Sequence, residues 1–351
     1  MKPLRIAVIG AGHLGRIHTK LVKSIAGVEL IGVVDPLAEA RQRVEAEFGV
    51  AVFENYHALL DRIDAAIIAT TTPQHHPVGR EMLRRGIHVL VEKPVTSTVA
   101  EADELISLAR ALDLVLQVGH VERFNPAWSA VSGFTRRPRH IAAVRSSAYT
   151  CRSTDVSVVL DLMIHDLDLA MSLVPSPVVE VDAVGFTVFG PHCDAAHAHL
   201  RFANDCIATL DASRTSFQPQ RTMQVVSDRA HVAIDFTTSV AKVAQPSDEV
   251  RQGRLDVRQM SAAEQDHLRK NLFQNYLPLQ EIQIEKRNAI LDEQQEFVNC
   301  ILTGTSPRVT GEQARDCLAV AERIQQSIAA KRSNIVRPAT PDWTREKRRA
   351  G

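Results

Sequence analysis

Asp161, His165 and Asp168 lie four and three residues apart, among Leu160, Leu162, Met163, Ile164, Leu167, Leu169 and Met171. In a helix the three share one face. Two carboxylates and an imidazole among apolar side chains are costly unless paired or used. A neutral imidazole titrates near ~6.5 and is a ready general base, contributing roughly 10²–10⁴ in rate. Asp161, one turn ahead, is placed to orient the His165 ring and raise its basicity. A satisfied core histidine, with Asp166 and Asp168 along an exposed edge, accounts for the same pattern about as well.

Three further groups carry polar chemistry. Glu92-Lys93-Pro94 follows the apolar run Val89-Leu90-Val91. The Lys93 ammonium suits stabilising an alkoxide. To act as a base, a lysine titrating near ~10.4 needs a large downward shift. A structural ion pair is the plainer reading of that motif alone. Thr70-Thr71-Thr72-Pro73-Gln74-His75-His76 offers hydroxyls and imidazoles, although threonines there serve equally as helix caps. Gly119-His120-Val121-Glu122-Arg123-Phe124-Asn125-Pro126 supplies His120, Arg123 and Asn125 as candidates to bind a polar substrate. Hinge packing explains that segment equally well.

These groups need elements that bring them together. Leu4-Arg5-Ile6-Ala7-Val8-Ile9 reads as a strand, and Gly10, Gly12 and Gly15 follow it, with His13 and Leu14 between the last two. That spacing gives a tight turn, a backbone that a pyrophosphate can approach, and close packing of helix on strand. The helix start adds free N–H groups and a positive dipole end. A second strand, Glu29–Val34, ends at Asp35, twenty residues past Gly15. A carboxylate there binds the adenosine ribose hydroxyls of a dinucleotide. It also repels a 2′-phosphate, and Pro36-Leu37-Ala38 offers no arginine to receive one, so NAD is expected rather than NADP. Arg41 and Arg43 lie further along.

Strand-like Ala65–Thr70, Val89–Val91 and Val115–Val118 alternate with amphipathic Gly15–Ile25, Ala38–Phe48, His76–Arg85 and Val99–Leu112. This predicts a parallel sheet with helices on both faces, whose ligands sit beyond the carboxyl ends of the strands. The threonine run, Glu92-Lys93 and Gly119-His120 all fall there. After about residue 123 the pattern changes to alternating segments at Ile141–Ser146, Val178–Val188, His197–Phe202, Ile207–Ala212, Met223–Ser227 and His231–Asp235. These predict a largely antiparallel sheet, with helices at Val156–Val174, Leu291–Leu302 and Gly311–Lys331. Residues 245–290 read as a long polar excursion. The expected divisions are 1–122, 123–337 and a solvated tail 338–351 carrying Lys347-Arg348-Arg349.

The chain has 351 residues, with 41 basic and 41 acidic side chains. That balance argues against nucleic acid or an anionic membrane as the main partner. Five scattered cysteines indicate neither a disulfide framework nor a zinc site, and suit a reducing cytoplasm. No apolar run approaches the roughly 20 residues that span a bilayer. A first strand at about Leu4 argues against a signal peptide ahead of it.

Taken together, the glycine fingerprint, Thr72-Pro73-x-His75, Glu92-Lys93-Pro94, Arg123-Phe124-x-Pro126 and Asp161-x-x-x-His165 with Asp168 resemble the Gfo/Idh/MocA family of NAD(P)-dependent sugar oxidoreductases. The resemblance spans nearly the whole chain. It implies a Rossmann domain followed by an α+β domain with an open sheet, which commonly packs on another subunit as a homodimer or homotetramer. It implies Lys93, Asp161 and His165 as catalytic residues. NAD is then held by Gly10, Gly12, His13, Leu14, Gly15, Asp35, Thr70, Thr71, Thr72, His75, Glu92 and Lys93, and substrate by His120, Arg123, Asn125, Asp161 and His165. Ser157-Val158-Val159-Leu160 and Met163 replace the glycines common in the family around the aspartate. The 118–126 and 163–166 runs look most like the branch that oxidises the C3 hydroxyl of UDP-N-acetylglucosamine. In the implied mechanism His165 takes the hydroxyl proton, Asp161 holds its ring and Lys93 stabilises the oxyanion. No metal is expected. Within the family the alternative is a dehydrogenase of a free sugar or inositol, and two other classes compete: a hydrolase binding a metal through Asp161, His165-Asp166, Asp168 and His75-His76, and a non-catalytic dinucleotide-binding redox sensor.

Overall fold

The computed structural model describes residues 2–151 and 156–334. The tail 338–351 and the end of the second expected division lie outside them.

The chain opens with β1 (Leu4–Ile9), α1 (His13–Val22), β2 (Val28–Val34), α2 (Ala38–Phe48) and β3 (Val52–Phe53). It continues with β4 (Ala65–Ile68), α3 (Thr72–Arg84), β5 (His88–Glu92), α4 (Val99–Ala111) and β6 (Leu116–Gly119). The six strands form one sheet in the order β3-β2-β1-β4-β5-β6, and every pair is parallel. Strand order reverses between β1 and β4, which opens a crevice at their carboxyl ends. β1 is buried along most of its length, and apart from Arg5 its side chains are all apolar, as a strand covered on both faces requires.

Helix starts differ from the sequence expectation. α1 begins at His13, directly after Gly12. α3 begins at Thr72, four residues early, because Pro73 is tolerated in a first turn where no N–H partner is needed. The two-residue β3 was too short to give an alternation signal.

The second half contains α5 (Pro126–Val131), β7 (His140–Ser146), a π-turn at Val159–Met163 and α6 (Ile164–Leu173). Then come β8 (Val178–Phe186), β9 (Ala195–Phe202), β10 (Ile207–Ser213), β11 (Gln220–Val226), β12 (His231–Asp235) and β13 (Val240–Ala244). Residues 245–290 hold α7 (Asp248–Arg251), α8 (Ala262–Lys270) and β14 (Leu279–Ile282), so the excursion is partly ordered into regular elements. The eight strands run β14-β13-β12-β11-β7-β10-β9-β8. β7 and β10 are parallel and the other neighbours antiparallel.

Two final helices, α9 (Ala289–Thr303) and α10 (Gly311–Asn334), tie the sheets together. Phe297 and Val298 of α9 are buried with Ile6, Val8, Ile67 and Leu90 of the first sheet. α10 places Ala314 and Leu318 in the core on that sheet's other face. Its Cys317, Ala321 and Ile324 enter the core under the second sheet, beside α6. The opposite side of the second sheet carries exposed Val184 and Phe186, and Val188, Phe189 and Phe217 are exposed in adjoining loops.

Candidate active site

Three glycines shape the turn after β1. Gly10 has φ +104°, and a Cβ there would lie 2.4 Å from the Ala69 carbonyl oxygen. A Cβ at Gly15 would lie 1.9 Å from the Gly10 carbonyl oxygen. At Gly12, a Cβ would meet nothing within 4 Å, so the space beside it is open. Gly12 caps α1 without a side-chain bond, leaving the first-turn N–H groups free for an anion. Asp35 spans the mouth of this turn. Its Oδ2 accepts from the Ala11 N–H at 2.8 Å and its Oδ1 from the Leu37 N–H at 2.9 Å. Arg41 donates to the carbonyls of Asp35 and Pro36 at 2.8 and 2.9 Å. Arg43 donates to the Glu39 carbonyl on its own helix. These residues fit the diphosphate and ribose of a dinucleotide.

From this turn a cleft of about 960 Å³ runs to the second sheet. Gly10, Gly12, His13, Leu14, Asp35, Thr70, Thr71, Glu92, Lys93, Asp161 and His165 all line it. Sequence separations as large as that between Gly10 and His165 therefore close onto one cavity. Gly15 acts by letting α1 approach Gly10. His75 is buried, with its ring nitrogens 2.8 Å from the Pro94 carbonyl and 3.2 Å from the Thr70 carbonyl. It braces two loops and does not line the cleft. Thr72 opens α3 and is likewise outside the lining.

Lys93 directly follows β5, with its ammonium aimed across the cleft. Nζ donates to the Asp161 main-chain carbonyl at 2.7 Å and lies 3.9 Å from Asp161 Oδ1. Burial pushes the Lys93 pKa below the lysine range, and Asp161 and Glu92 oppose that shift. His165 is pushed well below the ordinary histidine value, first by burial and then by the charges of Lys93, Arg145, His120 and Arg221. Its ring is neutral near pH 7. Nδ1 has no hydrogen-bond partner among the described residues.

This corrects the expected Asp161–His165 pairing. Asp161 sits in the π-turn, whose wider turn breaks the i, i+4 alignment of a regular helix. Its carbonyl and carboxylate face Lys93 instead. Asp166 and Asp168 are also not an exposed edge, since both are buried. Asp166 accepts two bonds from Arg145, each 2.9 Å, and Arg145 donates a third to Glu122 at 2.8 Å. Burial works against the Arg145 charge, but the two carboxylates outweigh it and hold the guanidinium ionised.

The expected substrate ligands at the junction are engaged elsewhere. Arg123 donates to the Arg308 carbonyl and Gln313, and lies 3.5 Å from Asp168. His120 is buried with Nδ1 3.9 Å from Asp168. Asn125 caps α5 by accepting from the Ala127 N–H and donates to Glu122. None of the three lines the cleft. Glu122, Arg145 and Arg221 line it instead. Neither arginine was among the expected site residues. Arg145 falls within the expected strand Ile141–Ser146, in step with the buried Ile141 and Ala143. Arg221 lies two residues ahead of the expected strand Met223–Ser227, in the part of β11 the alternation did not reach.

Behind Glu92 lies a buried network that carried no motif. Gln294 donates to His18 Nδ1 at 2.7 Å, so His18 donates through Nε2 to Glu92 Oε1 at 2.8 Å. Burial alone would raise the Glu92 pKa, but His18 and Lys93 hold it below the glutamate range. Glu293 is fully buried, and burial and the Glu92 charge push its pKa well up.

The side chains a metal hydrolase would use are dispersed: Asp166 on Arg145, Asp168 near Arg123 and His76 on Glu104. Among the described residues, no helix is long and apolar enough to cross a membrane.

A six-stranded parallel sheet with a glycine cradle, joined by a cleft to an open second sheet, defines a two-domain dinucleotide-dependent dehydrogenase. The model of an oxidoreductase family with an NAD-binding Rossmann fold matches residues 4–120. That of the GFO/IDH/MocA C-terminal domain matches 128–233. The chain is 32% identical over 329 residues to UDP-N-acetylglucosamine 3-dehydrogenase of Acidithiobacillus ferrooxidans, covering 93% of this chain and 98% of that one. A solved structure of that enzyme superposes with a TM-score of 0.81 at 31% identity, over 94% and 99% of the two chains. Myo-inositol 2-dehydrogenase of Thermotoga maritima is 24% identical, covering 94% and 98%. Scyllo-inositol dehydrogenase of Lactobacillus casei, with bound NAD(H) and scyllo-inositol, shares the fold with a TM-score of 0.73 at 19% identity, over 94% and 98%. The chain belongs to the GFO/IDH/MocA oxidoreductase family. It is an enzyme, an NAD-dependent dehydrogenase.

Proposed function

We propose that this enzyme oxidises a secondary hydroxyl of a nucleotide sugar to a ketone, acting on C3 of UDP-N-acetylglucosamine. The observation that carries the chemistry is the placement of Lys93 and His165 on one cleft with the glycine cradle. The substrate assignment is supported by 32% identity over nearly all of the chain to an enzyme named for that substrate.

Gly12, His13 and Leu14 would hold the NAD diphosphate through main-chain N–H groups, and Asp35 the adenosine ribose. Thr70, Thr71 and Glu92 flank the path onward. NAD supplies the hydride acceptor when bound. His165, neutral and partly buried, takes the proton of the substrate hydroxyl. The Lys93 ammonium, fixed by the Asp161 carbonyl, stabilises the oxygen as negative charge develops on it. Arg145, locked by Asp166 and Glu122, keeps the floor of the cleft rigid and polar.

Exposed Val184, Phe186, Val188 and Phe189 on and beside the second sheet favour a homodimer or homotetramer assembled through that sheet. All five cysteines are free, which suits a cytoplasmic enzyme.

Steady-state NADH formation across UDP-sugars, free sugars and inositols tests the reading. Turnover with UDP-N-acetylglucosamine, yielding the 3-keto sugar, is expected. Turnover restricted to inositols would replace it with the activity named for the Thermotoga maritima relative. NAD binding without reduction by any of these compounds would favour a redox sensor.

A further inference from the structure

We propose that Arg221 is the anion-recognising residue of the substrate end of the cleft, binding a phosphoryl group attached to the sugar. The proposal rests on the nucleotide-sugar reading above and assigns its charged half to a residue.

Charge accounting points to it. The cleft is lined by the carboxylates of Asp35, Glu54, Glu92, Glu122 and Asp161, against Lys93, Arg145 and Arg221 as cations. Two of those cations are committed. Lys93 is held by Asp161, and Arg145 by Asp166 and Glu122. Among the described residues, none takes a hydrogen bond or ion pair from the exposed Arg221 guanidinium. An anionic substrate entering a cleft with excess carboxylates needs a cation that is free to meet it.

The position of Arg221 is also unfavourable without a ligand. In the β7–β11 ladder Arg221 stands directly opposite Arg145, and like charges at such a pair are destabilising. The carboxylates that offset this repulsion all bind Arg145. Arg221 shares its side of β11 with the core residues Met223 and Val225, two and four residues on. It therefore emerges on the covered face, at the end where the core gives way to the cleft, and not on the outer face of the sheet. Arg221 and His165 line the same cleft, and His165 feels the Arg221 charge more weakly than that of Lys93, so the guanidinium stands at the substrate end, on the sheet across from the glycine cradle. A planar guanidinium with a free fork is the side chain best matched to phosphoryl oxygens.

The test uses the full-length protein with saturating NAD. Binding of UDP is measured by calorimetry for wild type, Arg221→Gln and Arg221→Lys. Turnover is measured with UDP-N-acetylglucosamine, N-acetylglucosamine 1-phosphate and free N-acetylglucosamine. Arg221→Gln is expected to weaken UDP binding and raise KM for the UDP-sugar by about tenfold to a hundredfold. kcat should change less than about threefold, with NAD affinity unchanged and the melting temperature no lower than that of wild type, because the phosphoryl group takes no part in the hydride and proton transfers and losing the Arg145–Arg221 repulsion does not destabilise the fold. Arg221→Lys should recover part of the loss. The same KM loss with a sugar 1-phosphate preferred by wild type would support the proposal with a single phosphate as the ligand. Equal UDP affinity in wild type and Arg221→Gln would overturn the assignment while leaving the nucleotide-sugar reading intact. Failure of wild type to bind UDP or turn over either phosphorylated sugar would remove both.

Discussion

The ammonium of Lys93 is bonded to the main-chain carbonyl of Asp161 at 2.7 Å, and only distantly to its carboxylate. The link joins the end of β5 to the π-turn before α6, so each sheet's contribution to the cleft is registered against the other. Because the backbone supplies the acceptor, Asp161→Ala preserves it. Lys93→Met is expected to lower kcat by about a hundredfold or more while NAD affinity survives. Asp161→Ala should cost about tenfold less than that. Equal losses in the two variants, read from steady-state kinetics, would mean that the carboxylate itself does the work.

His165 should show itself in the pH profile. Its pKa is depressed by burial and by four neighbouring cations or imidazoles. A depressed value means that the ring gains its proton only in more acidic solution, so the base is intact through neutrality. kcat/KM is expected to stay flat from about pH 8 down past the ordinary histidine value of ~6.5 and to fall only below it. His165→Ala should lose roughly 10²-fold or more in kcat. An acid limb centred at or above ~6.5 would assign the limb to another group.

Gly12 and Gly15 separate binding from folding. A methyl group at Gly15 would meet the Gly10 carbonyl at 1.9 Å, whereas one at Gly12 meets no protein atom within 4 Å. Gly15→Ala should therefore destabilise the fold by about 3 kcal/mol or more. Gly12→Ala should melt like wild type and bind NAD about tenfold or more weaker, because its Cβ occupies space the diphosphate needs. Thermal melts with and without NAD distinguish the two.

Glu293 predicts a pH-dependent difference in stability. Its folded pKa is raised by burial and by Glu92. Above the ordinary glutamate value the unfolded chain releases this proton and the folded chain keeps it. Stability from this group is complete in acid and is lost as pH rises toward the folded value. Glu293→Gln cannot titrate, so its melting temperature relative to wild type should climb between about pH 5 and about pH 8. A constant difference across that range would show that Glu293 is ionised in the native state.

Much of the first sheet was legible because each strand is a short Val and Ile run between helical repeats, and the glycine spacing marks one turn geometry. Lys93, Asp161 and His165 were legible because charged groups stood at strand ends or in an apolar helix. The roles of Arg123 and Asn125 were not. A charged or amide side chain after a strand looks the same whether it meets a ligand or caps a helix, and only the partners Gln313, Arg308 and Ala127 decide. The Asp161–His165 pairing failed for a local reason, since residue spacing does not announce a π-turn. His18 and Glu293 gave no sign, because their contacts depend on α9 returning across more than half the chain.

That return sets the order of assembly. Synthesis proceeds from the N-terminus, so β1–β6 emerge from the ribosome long before Phe297, Val298, Ala314 and Leu318, which cover both of their faces. The nucleotide-binding half must wait, incompletely roofed, for the last helices to be translated. Chains that terminate prematurely near residue 288 would carry every dinucleotide-contacting side chain named above and still be substrates for chaperones and proteases.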